Sequence, residues 1–311
     1  MNGPRPGWGF AAGTFGELVQ GQIDDIPFLI TLPIAWGTRA TFVATDGDVL
    51  EVWPSHRKKA LQAAELALDA WHKPHGGVLV VQSTLPVGKG MASSSADIVA
   101  SIRAVGAFYG QRLSPGQIAQ WAAQVEPTDG IMYPNVVAFN PLTGQLLERF
   151  GPMPPALILG VLGHGRINTE DHHRHRMPYR ADHQQRLKEA LKIARLGIEQ
   201  RDVGLLGKAG RISAEVAYER EPDAALLAFL ELAARDDLGV IIGHSGTVRG
   251  LLLPSPSPYG VLRKLEQRLW GLNAGPVHRL ALGHKFIGPM SGQGARSGVP
   301  SLGLPSGSLT H

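Results

Sequence analysis

The chain has 311 residues, with 30 Lys and Arg against 26 Asp and Glu for a net charge of +4. At 43% hydrophobic and 18% charged it has the composition of a folded chain of one large or two medium domains, which excludes a disordered one. The absence of cysteine excludes disulfides, thiolate metal sites and cysteine nucleophiles.

No apolar run reaches the roughly 18 residues that span a bilayer. The N-terminal MNGPRPGWGF lacks the basic-then-apolar order of a signal peptide, so a cytoplasmic protein without a membrane partner is expected. Basic residues are scattered, apart from His172, His173, Arg174, His175 and Arg176. A charge of this size and spread implies no nucleic-acid partner and suits a small anionic ligand equally well.

In chain order, segments 10–22, 27–33, 38–45 and 48–53 read as strands, rich in β-branched and aromatic residues between Gly and Asp turn signals. Residues 57–72 form an amphipathic helix with Leu61, Ala64, Leu68 and Trp71 on one face. A strand over 76–85 leads into the stretch LPVGKGMASSSADIVASI, residues 85–102. The helix that begins near Ser93 repeats Ile98, Ile102, Val105 and Tyr109 at one-face spacing, and Ser93 is its expected N-cap. Ser114 caps a helix over 115–125, and a strand pair follows within 136–150.

A buried strand over 155–163 opens a second half richer in helix, at about 183–200, 203–219, 222–235 and 257–271, with strands near 238–243, 247–253 and 277–283. Residues after 288 are rich in Gly, Ser and Pro and read as a flexible tail. Strands first and helices later argue for an α+β chain, divided at 1–152, 153–287 and the tail 288–311.

A strand, a glycine-rich turn and a helix together make an anion site. The first helical N–H groups lack partners, the macrodipole makes that end positive, and glycines let the backbone approach a phosphate. Lys89 adds a point charge within the loop. Two common phosphate patterns fail. In GxxxxGK[ST] the residue after Lys89 would not be Gly90, and Ser83 stands five before Gly88; in GxGxxG the third glycine is Ser93.

PVGKGMASSSA, Pro86 to Ala96, resembles the second motif of the GHMP kinases, PxxxGLGSSAA, with Met91, Ala92 and Ser95 replacing Leu, Gly and Ala. AAGTFGELVQGQ, 11–22, is similar to the family's first motif, and IIGHSGTVRGLLL, 241–253, to its third. GTFGELVQG, LPVGKGMASSSADI, EPTDGIMYP and HSGT further resemble the L-threonine kinases of cobalamin synthesis and propanediol utilisation.

The resemblance implies a two-domain GHMP kinase fold, with an N-terminal domain like one from a small-subunit ribosomal protein and a ferredoxin-like C-terminal domain. It implies ATP and magnesium, with the ATP phosphates on Pro86, Gly88, Lys89, Gly90, Met91, Ala92, Ser93, Ser94 and Ser95. It makes Asp129 the acceptor for the substrate hydroxyl's proton and Ser94 a magnesium ligand, with Glu126 as a second acidic ligand or a surface residue. Glu17 grips a substrate ammonium or pairs with an arginine. Gly243, His244, Ser245, Gly246 and Thr247 help to close the site. The implied acceptor is L-threonine, with L-serine, homoserine, a coupled decarboxylation or a non-catalytic binder as alternatives, in a monomer or homodimer.

Three readings compete with these roles. Pro127, Asp129 and Gly130 are turn formers, so Asp129 is either a turn residue or the base. GHSGT is a near miss to the nucleophile elbow GxSxG, but no Asp follows Asp237, which leaves Ser245 without a triad. EDHHRHR, 170–176, lacks zinc-site spacing and reads as a solvated loop at the site entrance, where Arg166 and Arg174 would meet a carboxylate or phosphates.

Overall fold

The computed structural model describes residues 5–164, 177–243 and 246–282. A long hairpin begins the chain: β1 (Gly7–Ile23) and β2 (Ile26–Ala44) pair antiparallel through a two-residue turn. Asp24 and Asp25 both take positive φ, 49° and 64°, the conformation whose twist matches flanking strands. The two strands expected over 27–33 and 38–45 are therefore one. Pro33 is accommodated opposite Thr14, where the register shifts and the ladder is already interrupted.

β3 (Leu50–Trp53), α1 (Lys58–Ala70) and β4 (Gly77–Ser83) form a parallel crossover, with β4 also pairing β2. α2 (Ser93–Phe108) lies on β1 and β2, with α1 and α3 (Pro115–Val125) against its other side. It approaches the sheet closely at Gly9, where a Cβ would fall 1.9 Å from the Ala100 carbonyl oxygen. Enclosed on both sides, α2 is buried around most of its circumference instead of along the single face that the Ile98, Ile102, Val105 spacing suggests. Ser114 caps α3 as expected, in a full capping box with Gln117.

β5 (Val136–Phe139) pairs β2 and β6 (Leu146–Gly151), and β7 (Ala156–Leu162) opens the second half. There follow α4 (Ala181–Glu199), α5 (Val203–Arg220), α6 (Ala224–Asp236), β8 (Gly239–Ile242), β9 (Val248–Pro254), α7 (Tyr259–Gly271) and β10 (Val277–Ala281). Asp202 and Asp223 cap α5 and α6 with their carboxylates. The strand order β10-β7-β9-β8, antiparallel throughout, is the ferredoxin-like arrangement.

The ten strands of the described residues join in one sheet, because β8 meets β1 at Ile242 and Glu17. Phe15, Phe42, Leu79 and Phe139 anchor the larger apolar cluster, and Phe229, Leu251 and Leu269 a second one beneath α6 and α7. No helix among the described residues is long and apolar enough to cross a membrane.

Candidate active site

The register shifts of β1 free backbone groups that hold the glycine-rich loop. Thr14 and Gly16 donate their N–H groups to the carbonyls of Met91 and Gly90, each at 3.2 Å. From the other side, the Thr247 and Val248 amides donate to the Lys89 carbonyl at 3.1 and 3.2 Å. Three successive carbonyls are thus turned onto the β1 and β9 framework. In a trans peptide the following N–H points the opposite way, so the amides of Gly90, Met91 and Ala92 face away from that framework. None of the three donates to a protein acceptor among the described residues. The alternating shape uses positive φ at Gly88 (73°), Gly90 (80°) and Ala92 (56°).

The loop and the start of α2 wall a cleft of about 450 Å³, with Glu17, Glu126, Asp129 and residues 56–60 of the α1 start on its other sides. Pro86, Gly88, Gly90, Met91, Ala92, Ser93, Ser94 and Ser95 all line it. Met91 buries its side chain, so its contribution to the cleft is backbone. Lys89 is different: its ammonium donates to the Gly163 carbonyl, and it lies off the cleft wall.

The three serines divide their work. Ser93 is not the N-cap; Ala92 holds that position in a left-handed conformation, and no side chain caps the helix. The buried Ser93 hydroxyl has no protein partner, an unmet polar group at the mouth of a helix that calls for an oxygen-rich ligand. Ser94 faces the cleft. Ser95 instead holds Asp129, donating its hydroxyl to Oδ2 at 3.0 Å and accepting from the Asp129 amide at 3.4 Å.

Burial pushes the Asp129 carboxyl up to about 7, and the negative charges of Glu17 and, to a smaller extent, Glu126 add to this while the Ser95 bond opposes it. Glu126 ends α3; its Oε2 takes an ion pair from Lys59, and its Oε1 is buried without a partner. Arg57 pairs with Asp97, which also accepts from Thr38 at 2.7 Å; burial raises the Asp97 carboxyl despite these partners. The basic edge His56–Lys59 was not legible in the sequence, because nothing local tells a helix start facing a cleft from one facing solvent.

Glu17, Pro127 and Asp129 also line a second cavity, of about 280 Å³, on the side of Gln20, Leu29, Thr128, Leu142, Tyr179 and Arg220. Two cavities therefore meet at the Glu17 and Asp129 carboxylates. Tyr179 and Arg220 carry no motif, and tertiary packing alone brings them to Thr128 of the EPTDGIMYP segment.

The third-motif residues brace the loop from behind. A Cβ on Gly246 would fall 2.2 Å from the Lys89 carbonyl oxygen, and one on Gly90 would meet the Gly246 and Gly243 Cα atoms at 3.0 and 3.3 Å. Thr247 bonds the Gly163 carbonyl, and Gly243, Gly246 and Thr247 do not line the cleft. The strands on either side of this segment, β8 and β9, pair antiparallel, whereas a nucleophile elbow leads from a strand into a helix. His244, Ser245, Arg166, Arg174, the cluster 170–176 and the tail 288–311 lie outside the described residues.

Residues 58–139 match the model of the GHMP kinases N terminal domain. The chain is 29% identical over 244 residues to an L-threonine kinase of Salmonella typhimurium, covering 76% of this chain and 80% of that one. Its fold superposes on homoserine kinase from Cytophaga hutchinsonii with a TM-score of 0.68, at 14% identity over 91% of this chain and 96% of that one. Mevalonate diphosphate decarboxylase from Staphylococcus aureus shares the fold at 0.67, with 13% identity over 91% and 97%.

Proposed function

We propose that this chain, which belongs to the GHMP kinases and is an ATP-dependent kinase, phosphorylates the side-chain hydroxyl of L-threonine to give O-phospho-L-threonine. The observation that carries the reading is the position of Asp129 on the wall shared by two cavities. The larger, lined by the loop amides and the α2 start, suits a triphosphate; the smaller suits a small acceptor. The L-threonine kinase relative supports the choice of acceptor, and the resemblance of the GTFGELVQG, EPTDGIMYP and HSGT segments to the L-threonine kinases of cobalamin synthesis supports a place in the aminopropanol phosphate arm of that pathway.

In this scheme the α2 N-terminus and the amides of Gly90, Met91 and Ala92 cradle the ATP phosphates, with Ser93 completing its hydrogen bonding on a phosphate oxygen. The acceptor hydroxyl oxygen forms a bond to the γ-phosphorus as the bond to the β,γ-bridging oxygen breaks, ADP departs, and Asp129 takes the hydroxyl proton. Phosphoryl transfer depends chiefly on positioning and charge neutralisation, so Asp129 orients the nucleophile as much as it deprotonates it. Ser94 and Glu126, whose Oε1 lacks a partner, fit a magnesium ion. When bound, that ion would neutralise phosphate charge.

The same fold is found in a diphosphate decarboxylase, so fold alone does not choose the reaction. Incubating the protein with ATP, magnesium and a panel of L-threonine, L-serine and L-homoserine separates the readings. Threonine-dependent ADP release without carbon dioxide supports the proposal. Carbon dioxide release, or nucleotide binding without turnover across the panel, contradicts it.

A further inference from the structure

One face of the sheet carries an aromatic row far from any motif. Trp8 of β1 pairs Thr41 of β2, Thr41 pairs Val80 of β4, and Val80 pairs Trp53 of β3. Side chains alternate between the faces of a strand, so these four share a face with Val43 and Val78 of the next row. The intervening residues, among them Ala40, Phe42, Leu79 and Val52, are buried on the other face, which α1 and α2 cover. Among the described residues the first face stays open: Trp8 is 51% exposed and Trp53 58%. A solvated sheet face is ordinarily polar, whereas tryptophans bordering a Val and Thr row have the composition of an interface core.

Charge identifies the occupant. Arg39 pairs Gln82 in the row on one side of the tryptophans, and Glu51 pairs Val78 in the row on the other. Neither forms an ion pair among the described residues; Arg39 lies over the Trp8 ring, its guanidinium carbon 4.1 Å from the centroid. Val80 sits midway between them, one strand and one row from each. A twofold axis in the plane of the face, through Val80 and perpendicular to the line from Arg39 to Glu51, therefore brings Arg39 of each copy onto Glu51 of the other. Contact between identical copies requires that self-complementarity; contact with an unrelated partner does not.

We propose that this face, centred on Val80, is the interface of a homodimer, with Trp8 and Trp53 as its apolar anchors and two symmetry-related Arg39–Glu51 pairs beside them. None of these residues lines either cavity of the active site, so the assembly and the reaction are read separately.

Sedimentation equilibrium of the full chain tests this over about 1 to 100 µM, where the wild type is expected to be dimeric. Trp53→Ser removes an anchor twice per dimer and is expected to weaken association by about 100-fold or more. Arg39→Glu and Glu51→Arg each set like charges opposite one another, and each alone is expected to weaken it by about 10-fold or more. An equimolar mixture of these two variants pairs Glu with Arg at both sites and is expected to form a heterodimer as tight as the wild type. Recovery in the mixture also shows that both variants fold. Because the chain has no cysteine, Val80→Cys supplies a single thiol at the axis, and a short thiol-to-thiol cross-linker is expected to join two copies there. A monomeric wild type overturns the proposal, whether the thiol of Val80→Cys reacts freely, as on an open face, or is shielded, as beneath the chain's own C-terminal residues. A dimer indifferent to Trp53→Ser, or a mixture of the charge variants that stays monomeric, overturns it equally.

Discussion

Ser95 grips Asp129 twice, donating to its Oδ2 at 3.0 Å and accepting from its amide at 3.4 Å. The helix that follows the glycine-rich loop thereby sets the position of the carboxylate that lines both cavities. Ser95→Ala removes both bonds, and the loss of a charge-assisted contact is expected to lower kcat by roughly 10- to 100-fold. Because the Ser95 bond holds the Asp129 carboxyl down, its removal is also expected to move the acid limb of the pH profile to higher pH.

Glu17 acts in the opposite sense. Its charge raises the Asp129 carboxyl, which stands at about 7. In the wild type kcat/KM is expected to rise as Asp129 ionises near pH 7. Glu17→Gln removes the like charge, so the midpoint is expected at lower pH. A midpoint that stays in place in this variant would remove Glu17 from the electrostatics of Asp129.

Stability carries the same signature. The folded Asp129 holds its proton up to about pH 7, whereas an unfolded Asp releases it near its ordinary value of 3.8. Between those limits the folded state binds more protons, so this group's contribution to stability falls as pH rises. Asp129→Asn is expected to unfold at higher temperature than the wild type at pH 8, by on the order of 2 kcal/mol given partial exposure to the cavities, with the gap closing at pH 4. Thermal unfolding at the two pH values measures this directly.

The brace behind the loop leaves no room for a methyl group. In Gly246→Ala the new Cβ would fall 2.2 Å from the Lys89 carbonyl oxygen. Displacement of the loop is expected to cost about 1–3 kcal/mol of stability and to raise the KM for ATP more than that for the acceptor.

Ala92 carries the reverse expectation. It adopts φ 56° at the helix cap, a conformation that costs a residue with a Cβ about 1 kcal/mol relative to glycine. Ala92→Gly is expected to raise the melting temperature slightly with the loop shape intact.

Much of this architecture is written locally. The Pro86–Ala96 motif, the Ser114–Gln117 cap and the Asp129 turn are short-range patterns, and each marks the element in which it lies. Ser93 and Lys89 show the limit of local reading. A serine at a helix start ordinarily caps it, but here left-handed Ala92 takes that place; a lysine in a phosphate loop ordinarily points at phosphate, but here the Gly163 carbonyl claims it. The Arg220, Tyr179 and Thr128 cavity arises from three distant segments, α5, the approach to α4 and the turn after α3. No spacing in the sequence connects them.

The central claim is that Asp129 serves transfer from ATP to threonine, and phosphorus NMR of the reaction products tests it most directly. With ATP, magnesium and L-threonine, the wild type is expected to yield O-phospho-L-threonine and ADP in equal amounts, and Asp129→Ala to yield neither at a comparable rate. Absence of phosphothreonine from the wild-type reaction, or its formation at an undiminished rate by Asp129→Ala, would contradict the account.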